Sequence, residues 1–173
     1  MLETLFSGPV DAFDDEAELG RSRVEVRRLI TFELSGEWYG LPITDVAEIH
    51  DLLPITPLPP SRVPPDVLGL INVRGLILPV VDLRRKFGLP INPVKPENRL
   101  VVIKGPEYWL ALWVEAVGEL ARLPLAAFQP APLGAVKIES GFYRQVARLG
   151  ERLLIELNTA KILAGAAAQG VSA

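Results

Sequence analysis

From Arg27 onward, apolar and polar residues follow one another in short alternating runs cut by Gly and Pro, a pattern of strands rather than helices. In Arg28 to Leu34, Ile30, Phe32 and Leu34 fall on one face and Thr31 and Glu33 on the other, and this period of two predicts a strand. Ser35-Gly36-Glu37 predicts a turn, with Trp38 to Leu41 as the returning strand of a hairpin. Thr44-Asp45 is placed to start one helical turn ahead of a strand from Val46 to Ile49. Pro54, Pro57, Pro59, Pro60, Pro64 and Pro65 follow, and a stretch so poor in backbone N–H can be neither helix interior nor central strand. It predicts a long loop of fixed shape.

Two apolar runs, Val67 to Val73 and Leu76 to Leu83, are broken only by Arg74-Gly75. Asn72 and Gly75 both tolerate turn geometry, so the pair predicts a second hairpin that carries Arg74 near its tip. Lys86 to Pro96 reads as loop and as a place where two halves could part, approximately near residues 90–98, with the alternative that the chain crosses back between them. Further strands are predicted at Arg99 to Ile103, Tyr108 to Val114, Val117 to Leu123, Tyr143 to Leu149 and Arg152 to Leu157, the last two around a Gly150-Glu151 turn. Asn158 is an acceptable cap for a short helix from Thr159 to Leu163. About nine or ten short strands with almost no helix predict an all-β fold of paired small barrels or a sandwich.

Composition narrows the function. The 173 residues hold 49% hydrophobic and 23% charged positions, enough to bury a core. No cysteine is present, which excludes disulfides, thiolate chemistry and cysteine-ligated metal sites. The 18 Lys and Arg against 21 Asp and Glu, with no cationic run, argue against nucleic-acid binding. No apolar run reaches membrane-spanning length and the first residues lack a secretory pattern, so a soluble cytoplasmic protein is expected. Charge is uneven along the chain. Glu3, Asp11, Asp14, Asp15, Glu16 and Glu18 precede the first base, Arg21, so residues 1–26 read as a flexible acidic arm on a weakly basic body. The arm is a solvated tail or, alternatively, a short docking segment.

Candidate chemistry is sparse. The single histidine, His50, is the sole imidazole available to assist catalysis, and it has no Gly-x-Ser-x-Gly nucleophile to serve. No phosphate-binding or dinucleotide-binding glycine motif occurs, and no cofactor or metal is expected. Arg74 is the outlier, a cation inside an otherwise apolar stretch. It reads either as an edge charge against aggregation or as a recognition arginine. Pro54-Ile55-Thr56-Pro57 reads as a structural loop before a polyproline ligand, and Trp38, Trp109 and Trp113 as core or interface anchors.

The segment from Gly69 to Leu83, with its Gly-x-x-Asn-x-Arg-Gly hairpin leading to Pro-x-x-Asp-Leu, closely resembles the central signature of CheW-like domains. Phe32 to Ile43 resembles that family's first hairpin, Val46-Ala47-Glu48-Ile49 its Val-x-Glu-Ile element, and Gly150 to Asn158 its closing hairpin and helix cap. Val114-Glu115-Ala116-Val117 stands where Val-Asp-x-Val is usual, with Glu115 in place of Asp, and reads as fold rather than site.

The resemblance covers about residues 27–165, with 166–173 left as a tail. It implies two SH3-like five-stranded β-barrel subdomains with a short C-terminal helix. It also implies a non-catalytic adaptor coupling the cytoplasmic tip of methyl-accepting chemotaxis receptors to the regulatory domain of a CheA-type histidine kinase. No direct membrane insertion or nucleic-acid contact is implied. Carried over by position, Arg74 is the receptor-binding arginine, Asn72 and Gly75 shape its turn, and Val46, Glu48 and Gly69 belong to the receptor-facing groove. Asp82 reads as structural, and no kinase-contact residue is legible. The alternative is an SH3-like peptide-binding module outside receptor arrays.

Overall fold

A computed structural model describes residues 24–168, with side chains as far as residue 165. The strands are β1 (Val26–Leu34), β2 (Glu37–Pro42), β3 (Val46–Asp51), β4 (Val67–Val73), β5 (Leu76–Asp82), β6 (Arg99–Ile103), β7 (Leu110–Val114), β8 (Ala116–Pro124), β9 (Tyr143–Leu149) and β10 (Arg152–Leu157). Helix α1 (Leu83–Phe87) follows β5 and helix α2 (Thr159–Ala168) follows β10. The acidic arm lies outside the described residues up to position 23, as do 169–173 of the expected tail, whereas α2 runs on through 166–168.

The fold is all-β, with two five-stranded sheets in the orders β8-β1-β2-β10-β9 and β3-β6-β7-β5-β4. These orders repeat one design. In each sheet an outer strand (β8 or β3) pairs with a hairpin (β1–β2 or β6–β7), which runs parallel to one strand of a second hairpin (β10–β9 or β5–β4). Along the chain, 26–87 and 99–168 therefore follow the same course of hairpin, crossing strand, hairpin and helix. In space the two halves are exchanged, because the first hairpin of each half is completed by the last three strands of the other.

The segment near 90–98, expected to divide two barrel halves, joins α1 to β6 and leaves strands of the same sheet on either side. The chain changes sheet elsewhere, at the single helical turn Ile43–Asp45 and at Glu115. One residue between β7 and β8 is too short for a hairpin reversal, so β8 passes on to the other sheet.

Both faces of the central strands are covered, which explains their nearly unbroken apolar sequence. On β6 and β7, Val101, Ile103, Leu110, Leu112 and Val114 enter the core shared by the two sheets. Leu100, Val102, Ala111 and Trp113 on the alternate positions fill the interior of the second sheet. Leu29, Ala121, Phe128, Ala147 and Leu154 form the matching interior of the first. Of the other tryptophans, Trp38 packs on this last cluster under the Arg152 guanidinium, 4.2 Å from its ring, and Trp109 packs against the second sheet's interior.

Helix α1 departs from the sequence expectation of a strand through Leu83 and a loop from Lys86. A five-residue helix shows too little of its 3.6-residue period to be read in sequence. Its ends are nevertheless specified. The Asp82 side chain accepts from Arg84 N at its start, and Gly88, at φ 72°, closes it in the left-handed region.

Candidate functional site

The β4–β5 hairpin pairs Val73 with Leu76 and leaves Arg74-Gly75 as a two-residue loop. Both residues have positive φ, 50° and 88°, as in a type I′ turn whose twist matches that of the strands. Asn72 Oδ1 accepts from Gly75 N at 2.7 Å and pins the turn. A non-glycine residue in the left-handed region costs about 1–2 kcal/mol. Arg74 offsets part of that cost by pairing its Nη2 with Glu48 Oε2.

Glu48 reaches the pair through a bulge on β3. The ladder with β6 shifts between Val46 and Glu48, so that Glu48 stands opposite Val102 and His50 opposite Leu100. Both therefore face the interior of the second sheet, next to the clustered Leu100 and Val102. The Glu48 carboxylate is only 9% exposed and needs partners on both oxygens. Arg74 takes one, and His50 Nε2 stands 2.8 Å from the other. β3 and β4 are the opposite outer strands of this sheet, so the Glu48–Arg74 contact reaches from one edge of the sheet to the loop that ends the other and shows that the sheet is curled. Side chains bridge the gap there, giving the small-barrel shape of an SH3-like fold.

The structure thus brings Arg74, Asn72, Gly75 and Glu48 together and adds His50, which carried no role in the sequence. Arg74 is presented outward with 68% of its side chain exposed. Leu76 and Ile77 flank it at 47% and 48% exposure. The sequence hid them in an apolar run that is otherwise buried, and the only available cue was that Ile77 faces the polar Asn72 across the hairpin.

Val46 and Gly69 lie apart from this cluster. Val46 is fully buried in the shared core. Gly69 lies beneath the Pro-rich loop, where Thr56 and Leu70 exchange backbone hydrogen bonds of 2.8 Å each. A Cβ at Gly69 would stand 2.2 Å from the Thr56 carbonyl oxygen. Neither residue offers surface to a partner, and both serve packing. The same contacts make Pro54 to Pro57 a structural loop, with Ile55 against the interior of the second sheet.

Asp82 has the structural place expected of it, within a network the sequence did not reveal. Its carboxylate takes Arg84 Nε at 3.1 Å and Nη2 at 3.0 Å, and Arg84 Nη1 reaches Glu115 Oε2 at 3.1 Å. Glu115 also accepts from Ser35 N at 2.7 Å and Asn92 Nδ2 at 2.8 Å. Burial pushes the Glu115 carboxyl up, but these hydrogen bonds and the Arg84 charge outweigh it and hold the group below the ordinary glutamate range. Burial likewise opposes the Arg84 charge, and Asp82 and then Glu115 more than restore it. The network sits at the β7–β8 crossing and ties α1 to the β1–β2 turn, so it is a structural joint rather than a reactive site.

Among the described residues no group of His, Cys, Asp and Glu could hold a metal, and no helix is long and apolar enough to cross a membrane. A family model described as the CheW-like domain matches residues 28–167. A probable chemotaxis protein CheW of Rhizobium etli is 33% identical over 135 residues, which is 76% of this chain and 84% of that one. Protein FrzA of Myxococcus xanthus is 30% identical over 159 residues, 91% of this chain and 98% of its own. A crystal structure of the scaffolding protein TtCheW from Thermoanaerobacter tengcongensis superposes with a TM-score of 0.71 at 28% identity, covering 78% of this chain and 90% of that one. Two exchanged five-stranded sheets, the Arg74 hairpin and these likenesses converge: the chain belongs to the CheW-like domain family.

Proposed function

We propose that this protein is a non-catalytic adaptor of chemosensory signalling, joining the cytoplasmic tip of methyl-accepting chemotaxis receptors to the regulatory domain of a CheA-type histidine kinase. The reading draws on the family, with its chemotaxis and scaffolding relatives. One structural observation carries the receptor side: an exposed guanidinium held at a hairpin tip by a buried carboxylate, with apolar Leu76 and Ile77 beside it. Such a surface suits a helical tip, which lays an apolar face on the hairpin while the arginine fixes register through hydrogen bonds. Asn72 and Gly75 set the turn, and Glu48 aims Arg74. The protein works in the cytoplasm and is recruited to receptor arrays through this contact.

Binding of a soluble receptor-tip fragment tests the reading. Arg74→Glu is expected to weaken binding at least about tenfold, the loss of roughly 1.4 kcal/mol that removing a charged interface contact readily causes. Equal affinity of the variant would overturn the assignment of this face. Tight binding of extended peptides with no affinity for the receptor tip would favour a peptide-binding module instead.

A further inference from the structure

The two halves of the chain repeat strand by strand, so the Arg74 cluster has a counterpart in the other half. On the crossing strands β3 and β8, Val46 and Val117 pair with Ile103 and Phe32, and Ile49 and Leu120 pair with Val101 and Ile30. Both ladders shift register between these pairs. Glu119 therefore takes the place of Glu48, and Ala121, opposite Leu29, the place of His50, opposite Leu100. At the hairpin tips, Val73 and Leu76 match Leu149 and Arg152, which puts Gly150 where the first half has Arg74. The second half thus has the carboxylate with neither partner, and there Glu119 is exposed. The Glu48 carboxylate, with both partners, is only 9% exposed. A place in the bulge does not bury this side chain by itself, and a carboxylate leaves water only for groups that satisfy it.

The two partners act differently. A carboxylate only accepts, so the His50 ring donates from Nε2 to Glu48 Oε1. Oε2 alone is left to Arg74, which engages it through Nη2. Nε and Nη1 of the guanidinium have no partner among the described residues. A carboxylate with both oxygens free takes a guanidinium through two parallel hydrogen bonds, which would draw Arg74 down onto the barrel and use a second of its nitrogens. We propose that His50 is a positioning residue of the receptor face: by holding Oε1 it limits Glu48 to a one-point hold on Arg74 and leaves the rest of the guanidinium open to acceptors on the receptor tip. The consequence for binding rests on the receptor reading above, whereas the one-point hold is a property of the free protein. Nε2 donates in the charged ring and in the neutral tautomer that keeps its proton there, so the hold does not require a charged histidine.

Two readouts on the full-length protein test this. The first is hydrogen exchange of the Arg74 Nε–H by nuclear magnetic resonance, the signal being identified by its loss in Arg74→Ala. Exchange is expected to be fast in the wild type, to slow severalfold in His50→Leu as Glu48 closes on both nitrogens, and to return to the wild-type rate in His50→Gln, whose amide donates in place of Nε2. The second is affinity for the receptor-tip fragment. His50→Leu should weaken it about fivefold, the scale of one net hydrogen bond, and His50→Gln should stay within about twofold of the wild type. Unchanged exchange in His50→Leu, or slowed exchange that His50→Gln does not reverse, would overturn the one-point hold. Slowed exchange with wild-type affinity, in a series where Arg74→Glu binds weakly, would overturn the positioning role and leave the receptor face standing. Equal affinity of Arg74→Glu would sink the receptor reading instead, and the exchange rates would still decide the hold. Should His50→Leu not fold, His50→Thr, a good strand former with a shorter side chain, takes its place.

Discussion

Thr56 closes over Gly69 so tightly that a Cβ there would also come within 2.8 Å of its carbonyl carbon, and the glycine holds φ 150°. Gly69→Ala is therefore expected to cost about 3 kcal/mol, from overpacking against backbone together with strain. The urea midpoint should fall, and a midpoint matching the wild type would contradict the account. Arg74 follows a different logic: its side chain is largely solvated and leaves no cavity, so Arg74→Ala should cost only about 1–3 kcal/mol, from leaving the buried Glu48 Oε2 without its partner. The two residues show what one sequence can and cannot tell. A lone cation in an apolar run identified the Arg74 hairpin, because turn chemistry is local. Its partner Glu48 is 26 residues away, and only the curling of the sheet brings them together. For the same reason Val46 and Gly69, carried over by motif position, could not be separated from the exposed members of the motif until burial was known.

At the scale of elements, the joint of Asp82, Arg84 and Glu115 links α1, the β7–β8 crossing and the β1–β2 turn. Its charges are largely withdrawn from water, with Arg84 3% and Glu115 13% exposed. The folded Glu115 has a lowered pKa, so its contribution is fully present above the ordinary glutamate value and is lost as pH falls through the folded value. Glu115→Gln should lower stability by about 2 kcal/mol at neutral pH. It should also flatten the acid side of the stability profile measured by urea unfolding at a series of pH values. An unchanged acid limb would show that other carboxylates govern acid unfolding. Sequence reading placed Glu115 in the fold correctly but missed Arg84, because three basic residues in succession, Arg84 to Lys86, look solvated. Only the short helix turns Arg84 inward while Arg85 stays 46% exposed.

For the whole molecule, strand exchange is the governing feature. The alternation of apolar residues and the turn signals made the strands legible one by one. Which sheet each strand joins was not legible, because a core-facing β3 reads the same whichever hairpin it extends. Each half of the chain leaves its first hairpin without the strands that complete its sheet. Separate fragments 1–93 and 94–173 should therefore be unfolded alone and recover the wild-type circular dichroism spectrum when mixed, as far as the long-range pairings can still form. A cooperative thermal transition in either fragment alone would contradict the exchange.

Exchange also fixes the geometry on which an adaptor depends, since two barrels that share a core cannot swing apart and their outer surfaces keep one orientation. In the proposed role this rigid body carries a receptor on the Arg74 face while engaging a kinase elsewhere. The most direct measurement is co-sedimentation of receptor cytoplasmic fragments with a CheA-type kinase, with this protein present, absent or replaced by Arg74→Glu. The wild type is expected to bring the kinase down with the receptor, and the variant to bind the kinase still but leave it in the supernatant. Kinase recovery that is the same with and without the protein, or undiminished with the variant, would contradict the proposed role.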